Sequence, residues 1–405
     1  MNAVPAWATR LRAARTAQQW SQRQLARKLI EASDEALPDP ESIIRVIRGH
    51  EHGRHRPDDR YTELYCRVYG LSAAILFDSA DETPGLGDEI DAMELSRRAA
   101  ASDVGNETLD RLDTAVDDLA SAYPKVPPAQ LLERVRRHLE YVTRLLDGRK
   151  TLAEHRRLLI AGGWLSLLGA TCHIDLRQYA FAEARLRTAA QLGRQAEYAE
   201  LTAWCVETEA WRVLIEGDYR RAVTLSQGAQ DLAPRASSVF IQATAQEGRA
   251  WARLGDGPAT RSALGRVHRL VSPLPAPDRP EHHYQYDPAK SDTYTATTLS
   301  WIGDPAAESY ARQVLARLES PGEGPPRPRR AALARLDLAL ALLAVGQPEE
   351  AVHVTMTAMA SGEIVPSSYW RAAEIAVGVE ARGLPEAGEL REAYQALCTG
   401  VSMPT

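Results

Sequence analysis

Between Ser21 and Gly49 the 405-residue sequence leaves hydrogen-bonding and cationic side chains on the outer side of two short helices. In the run from Ser21 to Leu29, the apolar Leu25, Ala26 and Leu29 fall at i, i+1 and i+4, so Gln22, Arg23, Arg27 and Lys28 face outward. From Ser42 to Gly49, Ile43, Val46 and Ile47 make the buried stripe, and Glu41, Ser42, Arg45 and Arg48 project from the opposite side. Guanidinium, carboxylate, hydroxyl and amide groups in such a row give and take directional hydrogen bonds. They are tools of recognition rather than of covalent chemistry. No G-x-S-x-G, Walker-type lysine loop, G-x-G-x-x-G after a strand or H-E-x-x-H occurs, so no enzymatic activity and no cofactor are expected.

The elements that must position this row are legible at their ends. Ser21 is a natural N-cap, and Gln24 three residues on completes a capping box. Gly49 is expected to close the second helix as its C′ glycine. Residues 6–17 read as a preceding helix with Trp7, Leu11 and Ala14 turned toward the pair, and residues 58–69 and 72–77 complete a five-helix unit.

These residues resemble the phage-repressor or Xre-like helix-turn-helix family, in which Ser-Gln-x-x-Leu-Ala opens helix 2 and Ile-x-Arg-x-x-x-Gly marks helix 3. The likeness runs on through Arg56-Pro57, Tyr61-Thr-Glu-Leu64 and Leu71 to Phe77, about the first eighty residues. The resemblance implies that helix 2 lies across the phosphate backbone of double-stranded DNA while the start of helix 3 enters the major groove. Gln22 and Arg23 would then hold phosphates, Glu41, Ser42 and Arg45 would read bases, and Arg48 on the same face would also contact DNA. Arginine can bond guanine O6 and N7 together, and glutamate can accept from cytosine N4. The sequence departs from the family in two places. Ile30 replaces the turn glycine ahead of a long Glu31–Pro40 segment, and the stretch His50–Arg56 is longer than the family's loop. Arg54 and Arg56 there add cations for phosphate contact. His50, His52 and His55 lack cysteine partners and are interleaved with arginines, so no metal site is expected. His282 and His283 with Asp287 are rejected on the same ground.

Composition frames this unit. The net charge is −6, but residues 1–80 carry 12 Lys+Arg against 10 Asp+Glu while the remainder carries 36 against 44, so the basic lean is confined to the N-terminal part. Arginine outnumbers lysine 44 to 4, a bias typical of GC-rich bacterial genomes. Cys66, Cys172, Cys205 and Cys398 are far apart and form no C-x-x-C pair, which gives neither a zinc ribbon nor a disulfide framework. There is no signal-peptide pattern, and Leu336–Val345, taken as the longest apolar stretch, contains Asp337 and is too short to span a bilayer. A cytoplasmic, nucleoid-associated bacterial protein with no membrane contact is therefore expected.

The domain reading is 1–78 for the helix-turn-helix unit, 79–90 for an acidic, turn-rich linker, 91–160 for a helical connector and 161–400 for repeats. Leu109, Leu112, Val116 and Leu119 share one helical face, and Leu131–Leu146 gives a long amphipathic helix after the Pro124–Pro128 interruption. Turns at Gln178-Tyr179, Gly217-Asp218, Gly255-Asp256, Gly303-Asp304 and Gly346-Gln347 each separate two apolar helices. Ala182 with Ala189, Ala222 with Ala229 and Ala351 with Ala358 keep a seven-residue spacing. This pattern resembles the tetratricopeptide repeat, although alanines 182, 222, 259, 307 and 351 are 40, 37, 48 and 44 residues apart against a family period of about 34. The fold class expected is all-α, a five-helix head plus a tetratricopeptide-like α-solenoid with a concave groove. Pro273–Pro280 and Pro321–Pro328 read as long inter-repeat loops.

Tryptophans 164, 204, 211, 251, 301 and 370 recur through the repeats and are mostly core in expectation. If Gly217 marks the repeat turn, Trp204, Glu207 and Trp211 face the groove, with Gln242 and Arg249 in comparable places one unit later. Aromatic rings beside one acid and one base suit a short peptide or an amphiphilic small molecule. The resemblance of both parts implies a transcription regulator, similar to peptide-responsive quorum-sensing regulators: a homodimer on a palindromic operator whose repeat body senses an effector. The alternative is a DNA-bound scaffold whose repeat body docks a protein partner with no small effector.

Overall fold

The computed structural model describes residues 4–77, Met93, 102–275, 277–320 and 327–399. Among these the chain is all-α, with nineteen α-helices, one short 3-10 turn and no strand. It divides into two compact units, residues 1–101 and 102–405. The linker expected at 79–90 lies outside the described residues.

The first unit has five helices: α1 (Ala6–Ala17), α2 (Gln22–Ala32), α3 (Pro40–Glu51), α4 (Asp59–Tyr69) and α5 (Ala73–Phe77). The capping box on α2 forms, with Gln24 N donating to Ser21 Oγ at 3.1 Å and Ser21 N donating to Gln24 Oε1 at 2.8 Å. Asp39 caps α3 in the same manner, accepting from the Glu41 and Ser42 amides at 3.1 Å each. Leu11, Ala14, Leu25, Ala26, Leu29, Ile43 and Ile47 are buried together with Leu64, Tyr65, Leu76 and Phe77. Val46 is only half-buried.

Gly49 does not end α3. The helix runs on to Glu51, and Gly53, at φ +69°, makes the left-handed turn instead. The Arg54 amide reaches back to the Gly49 carbonyl at 3.0 Å, closing that turn. The extra residues are helical because their side chains are needed inside. His50 and Glu51 are both buried, and His50 Nδ1 lies 3.1 Å from the Tyr65 hydroxyl.

The second unit contains α6 (Asn106–Ala122), α7 (Pro128–Asp147), α8 (Leu152–Asp175), α9 (Tyr179–Gln195), α10 (Ala199–Ile215), α11 (Tyr219–Leu232) and α12 (Ser238–Arg253). It continues with α13 (Gly257–Val271), α14 (Pro288–Trp301), α15 (Ala306–Glu319), α16 (Pro328–Ala344), α17 (Pro348–Ala360), the 3-10 turn Pro366–Ser368, α18 (Tyr369–Glu380) and α19 (Ala387–Thr399). From α8 to α17, chain neighbours pack on one another, apart from the pair α13 and α14, which touch less, while α8, α10, α12, α14, α16 and α18 also contact each other in succession. Those six form an inner layer, and α9, α11, α13, α15 and α17 lie outside it.

One turn geometry recurs at the inner-to-outer joints. Arg177, Gly217, Gly255, Gly303 and Gly346 all have positive φ, between +57° and +91°. The residue after each donates its amide to a carbonyl five positions back: Gln178 to His173, Asp218 to Val213, Asp256 to Trp251, Asp304 to Leu299 and Gln347 to Leu342. Small residues then let the helices close up: Ala182, Ala189, Ala222, Ala229, Ala351 and Ala358 are fully buried. The inner helices α8, α10, α14 and α16 are buried nearly all round, which explains why their sequences show little amphipathic contrast.

Helix α8 corrects the reading of the apolar stretches. The run between Arg157 and Asp175 is uncharged and longer than Leu336–Val345. By length and composition α8 is able to cross a membrane, yet 89% of its apolar window is buried inside the protein, against α6, α7, α9 and α10.

The inner layer bends until its ends meet. The 3-10 turn ahead of α18 packs on α8, and Ser367 Oγ donates to Asp175 Oδ1 at 2.8 Å. Between α13 and α14 the chain keeps residues 272–275 and 277–280 largely at the surface and then folds inward from Glu281 to Asp287. Glu281, His282, Tyr284 and Tyr286 are buried, and the His283 amide reaches the Ala120 carbonyl of α6 at 3.2 Å. An open groove is thereby replaced by a partly enclosed cavity.

Candidate functional site

In the first unit the outward row on α2 and α3 is partly occupied by the unit's own bonds. Gln22 Nε2 donates to Glu51 Oε2 at 2.8 Å, and Arg15 clamps the same carboxylate from Nε at 2.5 Å and Nη2 at 3.0 Å. This buried cluster ties α1, α2 and α3 together. Gln22, expected to hold phosphate, is half-buried with its amide on this carboxylate.

Arg23 Nη2 lies 2.7 Å from Glu41 Oε1, with both side chains about two-thirds exposed (66% and 67%). An exposed pair of this kind contributes little to stability and is easily exchanged for another partner. Ser42 Oγ donates to Asp39 Oδ2 at 2.7 Å and serves the cap. Arg45 and Arg48 are exposed one turn apart on α3, and Arg54 is exposed on the loop that follows. Arg56 is turned back, its Nη2 donating to the Phe77 carbonyl at 2.8 Å. His50 is no surface cation: burial pushes its imidazole down to about 4. The face therefore retains Arg45, Arg48 and Arg54, with the Arg23–Glu41 pair at its edge.

In the second unit a cavity of about 240 Å³ opens on the inner layer, and Trp204, Glu207, Trp211, Gln242 and Arg249 all line it. α10 supplies the first three and α12 the other two. Gln242 Nε2 donates to Glu207 Oε1 at 3.2 Å and to the Tyr294 hydroxyl at 3.1 Å, linking α10, α12 and α14. The Arg249 guanidinium stands over the rings of Trp301 and Tyr294 at 5.2 and 5.7 Å and donates to Gln246 Oε1 at 2.9 Å.

Three buried ion pairs that the sequence did not suggest complete the wall. Arg329 Nη2 meets Asp175 Oδ2 at 2.5 Å, Arg330 Nη1 meets Glu281 Oε1 at 3.0 Å and Arg371 Nη1 meets Asp337 Oδ1 at 2.7 Å. Tyr123 also donates to Asp175 Oδ2 at 2.8 Å, and Thr297 to Asp337 Oδ2 at 2.5 Å. Asp337 was visible as the one acid in an Ala/Leu helix. Such an acid on an all-round apolar helix needs a buried partner, and that was the available signal.

Burial dominates the titration of the wall. It pushes the Glu207 carboxyl up to about 7, the Lys290 ammonium down to about 8 and the Arg249 guanidinium down to about 10. Five buried polar atoms on residues that line this space have no hydrogen-bond partner: Trp204 Nε1, Gln246 Nε2, Arg249 Nε, Tyr286 Oη and Thr293 Oγ1. An unmet buried donor costs about 1 to 3 kcal/mol. Among the described residues no group of three or more His, Cys, Asp or Glu side chains is arranged to hold a metal.

The fold and these sites define an all-α protein with a small helical unit presenting arginines and a stacked-helix unit enclosing a polar, aromatic-lined cavity. Comparison with protein-family models, curated proteins and solved structures gives no match.

Proposed function

We propose that the chain is a sequence-specific DNA-binding transcription regulator. The first unit acts as an Xre-like helix-turn-helix head, and the second as a tetratricopeptide-like body that dimerises and takes an effector. The observation that carries the reading is the exposure of Arg45 and Arg48 on α3, a helix pinned from behind by the buried Arg15–Glu51–Gln22 cluster. A recognition helix needs this combination of free side chains on a fixed backbone. Two heads on a palindromic operator would lie about 34 Å apart, or a multiple of that.

The cavity supports the sensing half of the proposal. Its wall draws residues from α8, α10, α12, α14, α16 and α18, so an occupant touches the whole inner layer at once. A molecule that fits one curvature of that layer better than another shifts the population of curvatures, and with it the placing of the heads. The enclosed volume favours a small effector over a peptide or a docked protein.

Replacing Arg45 by Ala is expected to weaken specific binding by about 1 to 3 kcal/mol and relax preference at one base pair. Binding titrations on an operator and on scrambled DNA read the effect. An equal loss on both would remove Arg45 from base recognition.

A further inference from the structure

The charges around the cavity do not balance. Three arginines in the wall are each answered by a carboxylate: Arg329 by Asp175, Arg330 by Glu281 and Arg371 by Asp337. Among the described residues no carboxylate lies within 4.0 Å of Arg249 or Lys290, although both line the same space. The wall's fourth acid, Glu207, is raised by burial to about 7, so near neutrality it supplies only part of a charge. Arg249 also stands close enough to Arg371 to be disfavoured by it. Asp337 and Glu207 favour its charge only from a distance, and burial still outweighs them.

Three of the unmet groups on the wall can only donate. Trp204 Nε1, Gln246 Nε2 and Arg249 Nε are all N–H donors without acceptors, on α10 and α12. A ligand rich in lone pairs satisfies them, and a ligand that only donates does not. Trp204, Trp211 and Tyr294 also line the cavity. The 240 Å³ volume lies just under the range of drug-sized pockets.

We infer that the cavity takes a small aromatic monocarboxylate, its carboxylate seated on Arg249 and its ring against Trp204 and Tyr294. This rests on the reading of the cavity as an effector site and narrows that reading to a ligand class. The carboxylate completes the missing fourth pair by accepting from the guanidinium.

The test is thermal unfolding of the full-length protein with three matched probe sets: benzoate and indole-3-acetate, their amides, and the amines benzylamine and tryptamine. At least one of the two acids is expected to raise Tm in proportion to the logarithm of its concentration, while the amides and amines do not. Arg249→Met is expected to weaken that acid roughly 10-fold or more, and to unfold no earlier than the parent protein when no probe is present. Stabilisation by amides or amines in place of acids would overturn the ligand class while leaving an effector cavity. Stabilisation by an acid that survives Arg249→Met would overturn the seat. If no probe acted and Arg249→Met alone lowered Tm, the arginine would be part of the scaffold, and both the ligand class and the effector reading would fall.

Discussion

Replacing Asp175 by Ala is expected to cost about 3 to 5 kcal/mol of stability, the largest loss expected from any single substitution in the second unit. Asp175 sits at the end of α8, almost wholly buried, and holds three groups at once. Arg329 approaches one oxygen at 2.5 Å, the Tyr123 hydroxyl the same oxygen at 2.8 Å, and Ser367 the other at 2.8 Å. Removing the carboxylate leaves the Arg329 charge inside the protein, over the Tyr123 ring at 4.8 Å, with nothing to neutralise it. Because Ser367 precedes α18, the same change also releases the contact that brings the last inner helices back to the first. Urea unfolding of the variant and of Asp175→Ala/Arg329→Met reads the effect. The double variant should recover part of the loss, since it removes the stranded cation as well. A loss below about 1 kcal/mol would mean that Asp175 is solvated and the ring of inner helices is open.

The second large effect is one of pH. Glu207 rises from an ordinary carboxyl value near 4.5 to about 7 because burial penalises its charge, an effect that Gln242 and Arg249 only partly offset. Below pH 4.5 the carboxyl is protonated in both folded and unfolded chains. Between 4.5 and 7 the unfolded chain loses the proton first, so the folded state binds more protons and stability falls as pH rises. A shift of this size corresponds to about 3 kcal/mol, fully present at pH 4.5 and gone by pH 8. Glu207→Gln abolishes that fall. The stability difference between variant and parent should therefore move by about 3 kcal/mol in the variant's favour from pH 4.5 to pH 8. Parallel denaturant titrations at the two values measure it. A pH-independent difference would place Glu207 in contact with water.

Local signals were read correctly from sequence, and long-range ones were not. Ser21 and Gln24 are three residues apart and cap α2 as their types require, with no help from the rest of the chain. The Gly-Asp turns at 217, 255 and 303 and the turn at Gly346 were legible because a left-handed joint selects glycine. The end of α3 was not, because two glycines were available and the choice between them was made by His50 and Glu51 finding partners on α1, α2 and α4. The same cluster draws Gln22 inward. The inner row Trp204, Glu207, Trp211, Gln242 and Arg249 followed from helical spacing once a turn was fixed. Its opposite wall did not. Asp175 meets Arg329 across 154 residues and Ser367 across 192, and no periodicity in the sequence carries information over such distances.

Genome-wide footprinting of the full-length protein beside a version lacking residues 1–80 decides whether the first unit reads DNA sequence as proposed. Discrete palindromic peaks that vanish with the truncation are expected. Absence of peaks from the full-length protein, or peaks that persist without residues 1–80, would contradict that role.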